Sequence, residues 1–167
     1  MPRLNAQGTY ELREDRLLSE FLARFFPTDR VITRVRLGSP PIPPGVLDLS
    51  AQELKLLKRF SRWADALIIR PTELILVEAE VLPSPGIVST LQLYGRLLRQ
   101  DTDFNEWSNL PLRLMLVWAF EDPVLARLAR EQNIEVRIFQ PAWVPAALRA
   151  RYRLSPDKTR PTFTPEL

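Results

Sequence analysis

Three carboxylates carry the clearest chemical signal in the sequence. Asp65 lies in the apolar run 64–69, and Glu78 and Glu80 lie in the run 74–82. A turn around Pro71 and Thr72 separates the runs, which is the pattern of an antiparallel hairpin. If Arg70 pairs with Glu73 across the turn, Asp65 falls directly opposite Glu78, with Cβ atoms about 5 Å apart. Glu80, two residues further on, shares that face. Both alternate faces of 74–81 are otherwise apolar, which marks a strand buried on both sides. Like charges opposed in such a strand destabilise it and raise at least one pKa. Arg34, Arg36 or Arg62 could neutralise them as a buried ion-pair network. Alternatively a hard dication, Mg²⁺ or Mn²⁺, sits between them, because it removes the repulsion and takes oxygen ligands. Such an ion, with water, supports attack on a phosphodiester.

Composition removes most competing chemistries. The 167 residues contain no cysteine and no histidine. Disulfides, zinc–thiolate sites, thiol nucleophiles, serine–histidine triads and His-ligated metals are excluded. Any metal must be a hard cation held by oxygen, and catalytic proton transfer must use carboxylate, lysine, tyrosine or water. With 46% apolar and 26% charged residues, the chain is expected to form one globular domain over 1–153, followed by a Pro/Thr-rich tail over 154–167. No apolar run approaches the roughly 18–20 residues of a membrane span. The N-terminal stretch has no apolar h-region, so no secretory signal and no membrane partner are expected. The net charge is +3, and only Lys55, Lys58 and Lys158 are lysines. From 136 onward Arg137, Arg149, Arg151, Arg153, Lys158 and Arg160 outnumber Asp157 and Glu166. A basic end of this kind is solvated or meets nucleic acid or an acidic protein.

The elements that would position the acids follow from periodicity and caps. Thr9 caps a helix to about Phe26, ended by Pro27, with Tyr10, Leu17, Leu18, Phe21, Leu22 and Phe25 on its apolar face. Glu11 and Glu14 project onto that face, placed there by the helix dipole or aimed at a site. Residues 30–38 alternate Val31, Thr33 and Val35 against Ile32, Arg34 and Arg36, as a strand with one wetter face does. The segment 39–45, SPPIPPG, reads as a rigid loop. Ser50 and Glu53 form a capping box for a helix over 51–62. On it Leu54, Leu57 and Phe60 share one side, and Lys55, Lys58, Arg59 and Arg62 the other. That basic stripe is a solvated face or faces phosphates. Ser84 and Pro85 mark a helix start reaching Gln100. A buried strand over 112–120, a helix from Asp122 and Pro123 to Gln132, a strand over 134–139 and a helix over 141–153 complete the order. The fold class is α/β, a mixed sheet of about five strands between helices. Five glycines are too few and scattered for a phosphate loop.

Asp65, then Glu78-Ala79-Glu80 on the next strand of a hairpin, then the helix TLQLYGRLL, resembles the PD-(D/E)XK nuclease superfamily. It is similar in particular to the branch shared by RecB-type nucleases and archaeal Holliday-junction resolvases, over about residues 9–153. The resemblance implies a restriction-endonuclease-like core, with Asp65 and Glu78 as metal-binding acids and a further catalytic acid from the first helix, Glu14 or Glu11. It places the family's helix glutamine and tyrosine at Thr90 and Tyr94, and its lysine at Glu80. Ala64 stands where the family has proline. A minority of restriction enzymes of this fold use Glu-x-Glu; otherwise Lys55 or Lys58 would supply the lysine. The fold also serves non-cutting roles, including phage head completion. Two functions are therefore expected. One is a catalytically degenerate, nucleic-acid-contacting or structural subunit of a larger assembly, such as a phage head-completion or connector component, with no cofactor. The other is a Mg- or Mn-dependent deoxyribonuclease using Asp65, Glu78, Glu80 and Glu14. In either, DNA would be met by Lys55, Lys58, Arg59, Arg62 and Tyr94, and a protein partner by the tail and the neighbouring Arg151 and Arg153. An oligomer is compatible with both. The expected location is cytoplasmic, or the virion for a phage-encoded chain.

Overall fold

The computed structural model describes residues 14–38, 49–53 and 62–152. Helix α1 spans Glu14–Phe25 and buries Leu17, Leu18, Phe21 and Leu22. Its acids Glu14 and Asp15 lie in the first turn and Arg24 in the last, each favourable to the helix dipole, and Pro27 follows its end. Strand β1 (Arg30–Leu37), β2 (Arg62–Ile69) and β3 (Leu74–Glu80) form an antiparallel meander. Helix α2 (Ile87–Gln100) and a 3₁₀ turn (Thr102–Trp107) lead into β4 (Leu112–Trp118). Helix α3 (Pro123–Glu131) leads into β5 (Ile134–Ile138), and α4 spans Trp143–Tyr152. Strands β3, β4 and β5 are parallel neighbours, so α2 and α3 are the crossovers that parallel pairing requires. The sheet order is β1-β2-β3-β4-β5. This is the mixed five-stranded α/β architecture that the periodicities imply.

The sheet is buried on both faces. Leu67, Leu74, Leu76, Leu116 and Trp118 pack with Val88, Leu91 and Leu98 of α2 and with Ala126 and Ala129 of α3. On the opposite face Ile68, Ile75, Val77, Met115 and Val117 pack under Leu18, Phe21 and Leu22 of α1. Helix α2 lies close to the sheet: a Cβ at Gly95 would stand 3.0 Å from Leu114 Cδ2. A third cluster, Leu17, Val81, Ala119 and Val144, closes the C-terminal ends of β3 and β4. Among the described residues no helix is long and apolar enough to cross a membrane.

Several local expectations hold and three need correction. Arg62, expected at the end of the 51–62 helix, opens strand β2 instead, because it pairs with Leu37 of β1. Asp122 accepts hydrogen bonds from the Val124 and Leu125 amides at 2.9 and 3.0 Å and caps α3, with Pro123 in its first turn. The Ser50–Glu53 capping box is formed, with the Glu53 amide 3.3 Å from Ser50 Oγ. Lys55, Lys58 and Arg59 lie outside the described residues, as do Glu11, Arg153 and the 154–167 tail. Ser84 does not cap α2, which begins at Ile87 behind Gly86 without a side-chain cap. Ser84 lies three residues before the first helical residue, so Gly86 takes the cap position, and the Ser84 amide and hydroxyl donate to Glu80 instead. Strand β1 does not alternate cleanly either. Ile32 faces the α2 side, yet so do Val35 and Leu37, because Arg34 takes a φ of 55° and reverses the phase.

Candidate active site

The turn of the β2–β3 hairpin closes as the pattern of its residues predicts. The Arg70 amide donates to the Glu73 carbonyl at 3.0 Å, and the ladder runs from Ile69↔Leu74 to Ala66↔Val77. The next rung in that register is Asp65 opposite Glu78, and there the strands part. Beyond it β2 stays with β1, through Val35↔Ala64, Arg36↔Trp63 and Leu37↔Arg62. β3 stays with β4 instead, through Glu78↔Leu116 and Glu80↔Trp118. The sheet therefore forks, and the two acids stand in the crotch.

Their side chains replace the missing ladder bonds. The Asp65 amide donates to Glu78 Oε1 at 3.2 Å, and the Ala79 amide donates to Asp65 Oδ2 at 2.8 Å. Both orphaned donors are thereby satisfied, as buried amides must be. Arg34, opposite Asp65 in the β1–β2 register, is the residue with φ of 55°, a left-handed conformation that costs a non-glycine residue about 1–2 kcal/mol. On β2 the core alternation also slips here, with Ala64 and Leu67 both on the α2 side. The two strands change phase at the same rung, so their pairing register is the same before and after it.

Glu78 is only 8% exposed and is the buried charged side chain of the described residues. Burial raises its pKa first, the Asp65 charge second, and Glu80 adds to both, so that its carboxyl is pushed up to about 8. Burial also raises Asp65, as does the charge of Glu80, while the Ala79 amide and a hydrogen bond from Glu78 pull it back. Near neutral pH the pair shares a proton, held on Glu78. The arginine network expected as one solution is not formed by the described residues. Arg34 and Arg62 are exposed, and Arg36 reaches Asp103 at 3.9 Å. No ion pair among the described residues involves Asp65, Glu78 or Glu80.

The remaining candidates divide. Tyr94 of α2 comes to the pair. Its phenol pKa is raised by burial and then by the Glu78 charge, and lowered by Arg62, so Tyr94, Arg62, Asp65 and Glu78 share one electrostatic neighbourhood. Thr90, one turn earlier on α2, is half-buried. Glu80 is engaged elsewhere, accepting from the Ser84 amide at 2.6 Å and the Ser84 hydroxyl at 2.9 Å. Glu14 is exposed, one turn before Leu17, which packs on Val81 and Ala119. It therefore stands at the same end of the sheet as Glu80, on a helix that covers the other face. Among the described residues no group of three or more acids is placed to hold a metal ion. The Asp65–Glu78 pair is an all-oxygen donor set without a neutralising cation of its own, which fits a hard dication and not a soft one. Trp63 escaped notice in the sequence. It is 47% exposed two residues before Asp65, and its signal was an aromatic residue within the basic stretch KRFSRW.

No family model matches the chain, and no curated protein matches it. The crystal structure of a repair endonuclease from Pyrococcus abyssi is similar over 79% of this chain, at 15% identity and a TM-score of 0.48. The chain spans about half the length of that protein, 49% of it being covered.

Proposed function

We propose that the chain is a nucleic-acid-processing protein of the restriction-endonuclease-like kind, in which Asp65 and Glu78 hold Mg²⁺ or Mn²⁺ for phosphodiester hydrolysis. One observation carries this: two acids face each other, largely buried, with no cationic partner among the described residues. A structural role alone does not require them. Asn and Gln would accept from the same two amides without burying charge, and leave no repulsion to offset. Acids kept where amides suffice point to a ligand that needs charge, and a divalent cation is that ligand. When bound, the ion polarises the phosphate and lowers the pKa of the attacking water. The protein's own contribution is to hold two carboxylates in a rigid fork, to bring the Tyr94 hydroxyl to its α2 side, and to offer the Arg62 guanidinium to a phosphate.

A second reading rests on Glu80. It stands where the resembled family has a water-activating lysine, and it is bound to Ser84. A protein that keeps the scaffold without cutting, as a nucleic-acid-contacting or structural subunit such as a phage head or connector component, fits that arrangement. Incubation with linear, branched and single-stranded DNA in Mg²⁺ and in Mn²⁺, with Glu78→Ala as control, separates the two. Metal-dependent cleavage lost in the variant supports hydrolysis. DNA binding without cleavage in either metal supports the scaffold.

A further inference from the structure

Beyond the fork, β1 and β2 continue together as a two-stranded arm, and the side chains on that arm have a distinctive make-up. Arg36 of β1 and Arg62 of β2 are exposed, as is Arg34 at the fork itself. Asp65 is the one acid on the two strands. Trp63 stands among them, 47% exposed, and belongs to none of the core clusters. It is the direct cross-strand partner of Arg36, so both side chains leave the same face. Helix α1 covers that face over Ala66 and Ile68 and leaves the stretch at Trp63 open. Asp103 approaches Arg36 at 3.9 Å with both side chains well exposed, a contact that contributes little and yields easily to a phosphate.

From this juxtaposition we infer that the β1–β2 arm is a platform for single-stranded nucleic acid: Trp63 stacks on an unpaired base, and Arg36 beside it on the same face meets a neighbouring phosphate. The inference rests on the nucleic-acid reading above and adds the substrate class. An indole on a strand is rigid and offers a flat face, and every base has a π-face to receive it. In a duplex those faces are stacked against neighbours and closed to a side chain, whereas an unpaired or frayed strand presents them. Trp63 stands two residues, about 7 Å, from Asp65 along the chain, on the α1 side of the sheet, whereas Tyr94 and the carboxylate pair lie on its α2 side. Arginine suits the position beside Trp63 because its planar fork meets phosphate oxygens two at a time.

The test uses the full chain in EDTA, so that binding is read without cutting. Fluorescence anisotropy compares a labelled single strand with a blunt duplex of the same sequence, for wild type, Trp63→Ala and Trp63→Phe. Trp63→Ala is expected to weaken single-strand binding on the order of tenfold and to leave duplex binding within about twofold. Trp63→Phe is expected to retain most of the affinity, since a phenyl ring still stacks. The wild type should also lose tryptophan emission on adding the single strand, and Trp63→Phe should not. Matching circular dichroism melts for the three proteins exclude a folding defect. Equal loss on both substrates, or no loss on either, overturns the inference, as does a wild type that binds no single strand. The last outcome, joined to capture of a protein through Trp63, would make the arm a protein-binding surface. The two proposals fail separately. Binding that depends on Trp63 without metal-dependent cleavage removes only hydrolysis. Cleavage that Trp63→Ala leaves unchanged on single strands removes only the platform.

Discussion

Replacing Glu78 by glutamine is expected to stabilise the metal-free protein at alkaline pH. Folded, the carboxyl titrates at about 8 against an ordinary value of 4.5. Below the ordinary value it is protonated in both folded and unfolded chains and costs nothing. Between the two values the folded state binds the extra proton, so stability falls as pH rises and levels off above the folded value. The full difference corresponds to roughly 5 kcal/mol, and sharing of the proton with Asp65 makes a loss of about 3–5 kcal/mol between pH 5 and pH 9 the expected outcome. Glutamine reproduces the protonated form. Its oxygen accepts from the Asp65 amide as Glu78 Oε1 does, and its amide group donates where the carboxyl proton did. Urea denaturation in EDTA at several pH values checks this: Glu78→Gln should match wild type at pH 5, and exceed it at pH 9 by most of the wild-type loss. Millimolar Mn²⁺ should restore wild-type stability at pH 9 by binding only the folded state, about 2.7 kcal/mol at a hundredfold excess over Kd. It should do little for the variant. A wild type of flat stability from pH 5 to pH 9, or a Glu78→Gln protein weaker than wild type at pH 9, refutes the reasoning. The second result would mean that a cation already neutralises the pair.

Other substitutions probe neighbouring parts of the molecule. Glu80→Lys removes the acceptor of the Ser84 amide and hydroxyl and should cost about 1–3 kcal/mol in a melt; its amine then stands in the resembled family's lysine position, and Mg²⁺-dependent cleavage should rise over wild type. Asp122→Ala leaves the Val124 and Leu125 amides without their cap, and a loss of about 0.5–2 kcal/mol should appear in urea denaturation with DNA binding unchanged. Reversing Lys55 and Lys58 to glutamate should weaken duplex and single-strand binding alike. It should also flatten the salt dependence by about 0.9 in log K per log salt for each phosphate that the protein no longer neutralises. Unaltered binding in that double variant would show the stripe to be a solvated face.

Much of this arrangement is legible in the sequence because it is local. Two apolar runs, 64–69 and 74–80, joined by a short turn set the hairpin, and pairing Arg70 with Glu73 across the turn places Asp65 opposite Glu78; that pair closes the turn as expected. The cap at Asp122 and the capping box at Ser50 are likewise decided within four residues. The order of helices and strands follows from where the apolar period changes, and a mixed sheet follows from that order. What happens at the opposed acids is decided by other strands. β1 draws Ala64, Trp63 and Arg62 one way, and β4 draws Glu78 and Glu80 the other, so the rung opens and the carboxylates turn onto the backbone amides. The periodicity of the hairpin carries no trace of that pull. Nor does it reveal that Glu80 binds Ser84, or that Arg34 reverses phase across from Asp65. The repulsion between Asp65 and Glu78 follows from their residue types and register. Whether arginines relieve it is a question of side-chain placement across three strands, and only the tertiary structure puts Arg34 and Arg62 out in solvent and leaves the pair to share a proton.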